Sequence, residues 1–407
     1  MGKIRFMVIF SAVFLLAVTS TFAAETIKIG VPLAMTGAYA GSGDNFWKGI
    51  TMATEEINES GGLLGKQIEI VRFDSQEFAP EVVMQGANYL CGKMKVTSVH
   101  AGWAGWGQDI LAYGKYDAPF FCDDGATPAV DVYKSNPEKY YNTYFITDHG
   151  VDQAKSVFKM LTGLPYEYPN KKVVIINTDD TWGMEVGDTL TSQFEKIGWK
   201  VAMHETVPYG TNEWGPILTK IRRIKPALIH IEIPSSQEVI TFFHQFIKQP
   251  TNSILSYGWS ITPLEVLSTL GKDANGILGE MPAGMPAPLA PNAKSQAWVD
   301  KYKSIYKHEL PVGSWIGYTG VMLWADAVKA VGDEYDFKAV NKHIKEVGYD
   351  GLQGHIKFGE NNTLHAQTGS PIVHYQVQNG QLVALFTDPP LKPYKDYKFQ
   401  VPRWIKK

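Results

Sequence analysis

Trp103, Trp106, Trp182 and Trp259 each stand in a short turn that follows an apolar run, and flat rings in such places make the walls of a pocket. The first two lie in Ala101-Gly102-Trp103-Ala104-Gly105-Trp106-Gly107, between a short strand at 96–100 and a short helical pattern at 108–115. A second apolar run at 118–122 leads into Asp123-Asp124-Gly125-Ala126-Thr127-Pro128. Glycines let backbone N–H groups approach a ligand closely, and a helix start favours an anionic group. Two strands joined by a helix lie parallel, so both turns fall on one rim of a sheet, the rim at which open α/β sheets bind ligands. Donors at Gly125 and Ala126 and the hydroxyl of Thr127 suit a carboxylate or amide oxygen. The pattern reads as half of a small-molecule pocket whose other half comes from a second domain. The competing reading is two ordinary βα turns with tryptophans in the core.

Catalytic constellations are missing from the sequence. There is no H-E-x-x-H and no G-x-S-x-G, and Gly102, Gly105 and Gly107 do not have dinucleotide-binding spacing. The ten histidines are scattered. His149 is read as a surface residue that could also touch ligand, and His100 as a sheet residue without a role. Asp179-Asp180 precedes Trp182-Gly183 and shapes a helix N-terminus. The chain is therefore read as no enzyme, with no metal and no cofactor.

Composition narrows the class further. Lys3 and Arg5, an apolar run at 6–18 and Thr21-Phe22-Ala23-Ala24 read as a signal peptide over 1–24, cleaved after Ala23 or Ala24, with a membrane anchor as the lesser alternative. Removing Lys3 and Arg5 from 38 basic residues leaves 36 against 41 acidic ones, a net of −5, which argues against nucleic acid as a partner. The two cysteines, Cys91 and Cys122, read as separate buried thiols, although an exported protein permits a disulfide.

Strands and helices must position the turns. Phe46, Ile50, Ala53 and Ile57 recur at helical spacing over 45–59, after a glycine-rich turn at 35–43, and Ser60-Gly61-Gly62 ends that helix. A β-α-β-α-β-α-β series continues to 146, and a second series of the same kind runs from 147 to 276. The chain then crosses back after Gly276 and again after Phe358, and Asn379-Gly380 joins a hairpin. The expected organisation is α/β. Residues 25–146 with 277–358 form one lobe, 147–276 with 359–390 form the other, and 391–407 form a tail that wraps a surface.

The stretch with Met35-Thr36-Gly37, Gly43-Asp44 and a helix ending Ile57-Asn58-Glu59-Ser60-Gly61-Gly62-Leu63-Leu64-Gly65, then a strand ending in Asp74, resembles the leucine/isoleucine/valine-binding family of periplasmic substrate-binding proteins for ABC transporters. The resemblance implies two Rossmann-like lobes of periplasmic binding protein type I, joined by a three-segment hinge that closes over a ligand. It implies a monomer in the periplasm that delivers a branched-chain amino acid, or a related carboxylate or amide, to a membrane permease. A sensor that presents its ligand to a membrane receptor is the alternative. Residue by residue, Gly125-Ala126-Thr127 matches the family's segment for the carboxylate and amino group, and Trp182-Gly183 its closing aromatic. The hydroxyl position after the third strand falls at Trp103 or Ala104, and the acidic position near Gly258-Trp259-Ser260, so neither group is expected there. A buried ammonium needs a compensating charge, and Asp124 or Asp148 could substitute. Ser42, in the first glycine-rich turn, completes the candidate contacts.

Overall fold

The computed structural model describes residues 25–37, 39–261, 264–281, 293–308, 310–364, 371–388, 392–394 and 398–406. The signal-peptide segment lies outside them, as does most of the proline-rich stretch before 293. In chain order, β1 (Ile27–Leu33), α1 (Ala40–Glu59), β2 (Ile68–Asp74), α2 (Pro80–Ala87), β3 (Ser98–His100), α3 (Gln108–Tyr113), β4 (Phe120–Cys122), α4 (Thr127–Ser135) and β5 (Thr143–Phe145) make the first lobe. Its five strands lie parallel in the order β2-β1-β3-β4-β5.

The second lobe follows with α5 (Gly150–Thr162), β6 (Lys172–Thr178), α6 (Thr181–Lys196), β7 (Lys200–Val207), α7 (Gly215–Ile224), β8 (Leu228–Glu232), α8 (Ser236–Phe246), β9 (Ile254–Tyr257), α9 (Leu264–Leu270) and β10 (Leu278–Met281). Three helices, α10 (Ala293–Tyr306), α11 (Ser314–Val331) and α12 (Phe337–Glu346), come next, then a small antiparallel pair, β11 (Tyr349–Gly351) and β12 (Gly354–Ile356). Finally β13 (Ile372–Gln378), β14 (Gln381–Asp388) and β15 (Lys392–Pro393) return to the second sheet, ordered β15-β14-β13-β10-β9-β8-β6-β7. The β13–β14 turn is Asn379-Gly380, both at positive φ (54° and 75°), which only Gly and Asn adopt readily.

Local chemistry explains the helices that carry the site. Phe46, Ile50, Ala53 and Ile57 are buried on one face of α1, and α11 packs on that helix. Helix α1 begins earlier than the sequence suggests, because Gly43 serves a close approach rather than a turn: a Cβ there would lie 1.8 Å from the Ala34 carbonyl oxygen. At the crossing with α11, a Cβ on Gly49 would lie 1.7 Å from the Ser314 carbonyl oxygen, so the two helices meet backbone to backbone.

Two crossings fall later than the sequence pattern places them. β10 is not part of the first lobe: Leu278 pairs parallel with Ser256 of β9, and residues 278–281 pair antiparallel with β13. Gly276 only turns the chain, at φ 101° and pressed against Pro402, so the second crossing comes after Met281. Residues 359–364 stay with the first lobe, because the Phe145 N–H donates to the Asn362 carbonyl at 2.9 Å and Asn362 Nδ2 donates to the Thr143 carbonyl at 2.8 Å. In the tail, Trp404 is buried against Phe243 and Phe246, and its indole N–H donates to the Ser253 carbonyl at 3.0 Å. Both cysteines are buried free thiols, and burial pushes Cys91 up to about 12. Among the described residues no helix is long and apolar enough to cross a membrane.

Candidate functional site

The carboxyl ends of the strands of both sheets face one cavity of about 100 Å³. That is the order of the ~150 Å³ apolar cavity that accommodates benzene, so the space suits a small solute. From the first lobe, Tyr39, Phe78, Trp103, Ala104 and Trp106 form the apolar wall, and Asp123, Asp124 and Thr147 line it at the ends of β4 and β5. From the second lobe come Thr178, Asp180, Trp182 and Gly183 after β6, Tyr209 after β7, Glu232 and Pro234 after β8, and Trp259 after β9. An outer groove shares Trp103, Pro234, Trp259 and Val312 with this cavity.

The turn after β3 depends on its small residues. A Cβ on Gly102 would lie 2.5 Å from the Phe46 ring, and Trp106 and Gly107 both take positive φ (49° and 105°). The Gly105 N–H donates to the carboxylate of Asp109, whose burial pushes it up to about 6. The turn after β6 is locked by Asp180, which caps α6: it accepts from the Gly183 N–H at 2.8 Å and from the Thr178 hydroxyl. Gly183 is required beside Trp182, since a Cβ would lie 2.8 Å from the Thr178 carbonyl oxygen. The Trp182 indole nitrogen is buried without a hydrogen-bond partner.

Asp123 accepts hydrogen bonds from the Trp103 indole and the Thr147 hydroxyl, yet burial outweighs both and raises it to about 7. Burial also raises Asp124 well above the ordinary carboxylate range, with Asp109 and Asp123 adding repulsion. Glu232 is 2% exposed and lies 3.3 Å from His230 Nε2. Gly258 makes room for it: a Cβ there would come within 2.4 Å of Glu232 Oε2. Behind it, Glu280 accepts from Gln153 Nε2, and its pKa is pushed up first by burial, then by Glu232 and Asp148. No lysine, arginine or histidine is among the described residues that line the cavity.

Of the nine residues expected at the site, Trp103, Ala104, Trp182 and Trp259 line the cavity. Ser42, in the first turn of α1, lines the outer groove instead. Gly125, Ala126, Thr127 and Asp148 do not line the cavity. The Thr127 N–H donates to Glu185 Oε2 of α6 at 2.7 Å, its hydroxyl bonds His149 Nε2 at 2.9 Å, and a Cβ on Gly125 would lie 2.1 Å from the Asp148 carbonyl oxygen. These residues tie the two lobes together beside the first crossing. His149 is thus a half-buried bonding partner rather than a solvated side chain, and burial lowers its pKa. No acid stands at 258–260, and Asp124, the substitute weighed in the sequence, lines the cavity; Asp123, Asp180 and Glu232 line it as well and were missed. The signal for Glu232 was available, because a carboxylate between Ile231 and Ile233, in a strand otherwise apolar except for His230, must be paired or functional. Tyr39, Phe78 and Tyr209 had no comparable signal.

Two α/β lobes that enclose a ligand-sized cavity at their strand ends define a bilobal solute-binding protein. A periplasmic binding protein family model matches residues 26–381, and the chain belongs to that family. Members of this family bind solutes and are not enzymes. An "Amino acid binding protein" of Pseudomonas aeruginosa is 27% identical over 225 residues, 50% of this chain and 52% of that protein. The "Leucine-, isoleucine-, valine-, threonine-, and alanine-binding protein" of the same organism is 22% identical over 369 residues, 84% of this chain and 88% of that protein. The fold is that of a putative branched-chain amino acid ABC transporter protein from Silicibacter pomeroyi, with a TM-score of 0.78 at 23% identity over 93% of this chain and 100% of that chain.

Proposed function

We propose that this chain is a periplasmic carrier that closes its two lobes over a small organic solute and delivers it to an ABC-transporter permease. The observation that carries this reading is the aromatic cavity itself, with Trp103 of one lobe and Trp182 and Trp259 of the other on its walls. Ligand between lobes stabilises the closed form by mass action, and closure gives a permease one surface to recognise. The amino-acid names of the Pseudomonas relatives support a solute of amino-acid size with an apolar or aromatic body. Export by a cleaved N-terminal segment and function as a monomer belong to the same proposal.

The test is a solute screen by thermal unfolding and tryptophan fluorescence. A ligand at 100 times its Kd adds about 2.7 kcal/mol to stability. The expected result is a saturable fluorescence change that Trp182→Ala abolishes. A solute that binds tightly to both Trp182→Ala and Trp103→Ala with unchanged affinity would place the site elsewhere.

A further inference from the structure

We propose that the cleft selects an organic cation: a small amine or quaternary ammonium with an apolar or aromatic body, for which a carboxylate is dispensable. This rests on the reading that the inter-lobe cavity is the solute site.

The backbone donors an anion would need at these turns are already in use, and among the described residues the Trp182 indole N–H is the one lining donor buried without a partner. Thr127 gives its N–H to Glu185 and shares its hydroxyl with His149. Ala126 is fully buried, its N–H directed at Asp124 Oδ1 at 3.4 Å. The N–H of Gly105 goes to Asp109 and that of Gly183 to Asp180. With no basic side chain among the described lining residues, a carboxylate entering the cavity meets the acids Asp123, Asp124, Asp180 and Glu232 and no charge of opposite sign.

A cation meets the reverse. Asp123 is oriented by the Trp103 indole and the Thr147 hydroxyl, and a cation beside it favours its ionised form, whose roughly four acceptor sites leave capacity for an ammonium. Glu232 offers a second carboxylate from the other lobe, set in a strand end that Gly258 leaves open for it. Around them the rings of Trp103, Trp182 and Trp259 line the cavity, and aromatic rings favour a positive charge, best a weakly hydrated one. The acids are divided between lobes: Asp123 and Asp124 lie on the first, Asp180 and Glu232 on the second. Closure over a cation sets an acid of each lobe beside it. The charge of the solute therefore controls closure as well as affinity.

The experiment titrates the full-length mature protein with choline, isoamylamine and phenethylamine, with their acid counterparts isocaproate and hydrocinnamate, and with leucine. Tryptophan fluorescence and thermal unfolding are the readouts. At least one amine is expected to saturate both signals, with its acid counterpart weaker by at least ~30-fold, the low end of the cost of an unpaired buried charge. Glu232→Gln should weaken the amine by a similar factor while circular dichroism stays native, and Asp123→Asn serves if that variant does not fold. The inference is overturned if an acid binds as tightly as its amine, if leucine binds and isoamylamine does not, or if no cation binds at millimolar concentration. In those cases an acid or neutral solute whose binding is lost in Trp182→Ala would leave the cleft standing as the site. Binding that ignores Trp182→Ala would remove the cleft reading itself.

Discussion

Trp103 of the first lobe meets Trp259 of the second edge to face, ring centroids 6.0 Å apart and planes at 71°. Tyr39 and Tyr209 make a parallel connection, 6.0 Å apart at 54°, and Tyr39 also touches Trp103 at 5.8 Å. These rings join the lobes at the cavity wall, so any parting of the lobes there would separate them. An aromatic pair of this geometry contributes about 0.5–1.5 kcal/mol beyond its buried area. Trp259→Ala should therefore raise the Kd of the bound solute by at least about 2–10-fold, mainly through faster dissociation. Stopped-flow fluorescence of Trp259→Ala measures this, and an unchanged dissociation rate would mean that the ring pair does not hold the lobes together.

Acidity should act on the empty protein through Asp123. Burial lifts this carboxyl from 3.8 to about 7, so between those values the folded chain holds a proton that the unfolded chain has lost. Stability from this group is therefore lost as pH rises from about 4 to about 7. His100 and His374 act in the opposite direction over much of that window, since burial lowers both to about 3 and the unfolded chain binds their protons first. The wild-type curve alone mixes these effects, and a comparison isolates one. The melting temperature of Asp123→Asn relative to wild type should rise steadily from pH 4 to pH 7 and level off above it. A difference independent of pH would mean that Asp123 is ionised throughout.

Much of the fold was legible because its signals are local. Helix spacing in α1, the Asn379-Gly380 turn and the alternation of strands and helices each follow from a few neighbouring residues. The crossings were less legible, because the four residues Leu278–Met281 are too short a stretch to choose between the sheets, and only their pairing with β13 and β9 decides. The site divides in the same way. Trp103, Trp182 and Trp259 follow strand ends and can be placed from order alone. Gly125-Ala126-Thr127 also follows a strand end, but the partner that claims it, Glu185, is 58 residues away on another helix. Glu232 was hidden because a strand of isoleucines was read as core without asking what its one charge was for.

The C-terminal tail is a structural element of the second lobe. Trp404 fills a site between Phe243 and Phe246 and gives its indole N–H to Ser253, while the Gln400 N–H donates to Gln376 Oε1 at 2.9 Å. Trp404→Ala should cost about 3–5 kcal/mol of stability while leaving solute affinity within a factor of two or so. Denaturant unfolding and a binding titration of the same variant check the two halves. Loss of binding at full stability would give the tail a part in the site instead.

Glu185 offers a separate handle on closure, because it touches the first lobe without lining the cavity. Its carboxylate accepts the Thr127 N–H at 2.7 Å and lies 3.7 Å from His149 Nε2, which itself bonds the Thr127 hydroxyl at 2.9 Å. Glu185→Ala leaves that backbone donor without its partner, a loss of about 1–3 kcal/mol for a buried group. The loss falls on the closed form, where the contact between α6 and α4 is made, and an open form lets water satisfy the same donor. Affinity should therefore fall by about 5–150-fold with the lining of the cavity untouched. Glu185→Gln keeps an acceptor oxygen for the Thr127 N–H and should recover most of the loss. Calorimetric titration of both variants is the measurement. Equal affinity in Glu185→Ala and wild type would show that Thr127 stays bonded, or stays satisfied, when the lobes part, and the tie would then be static rather than part of the closing motion.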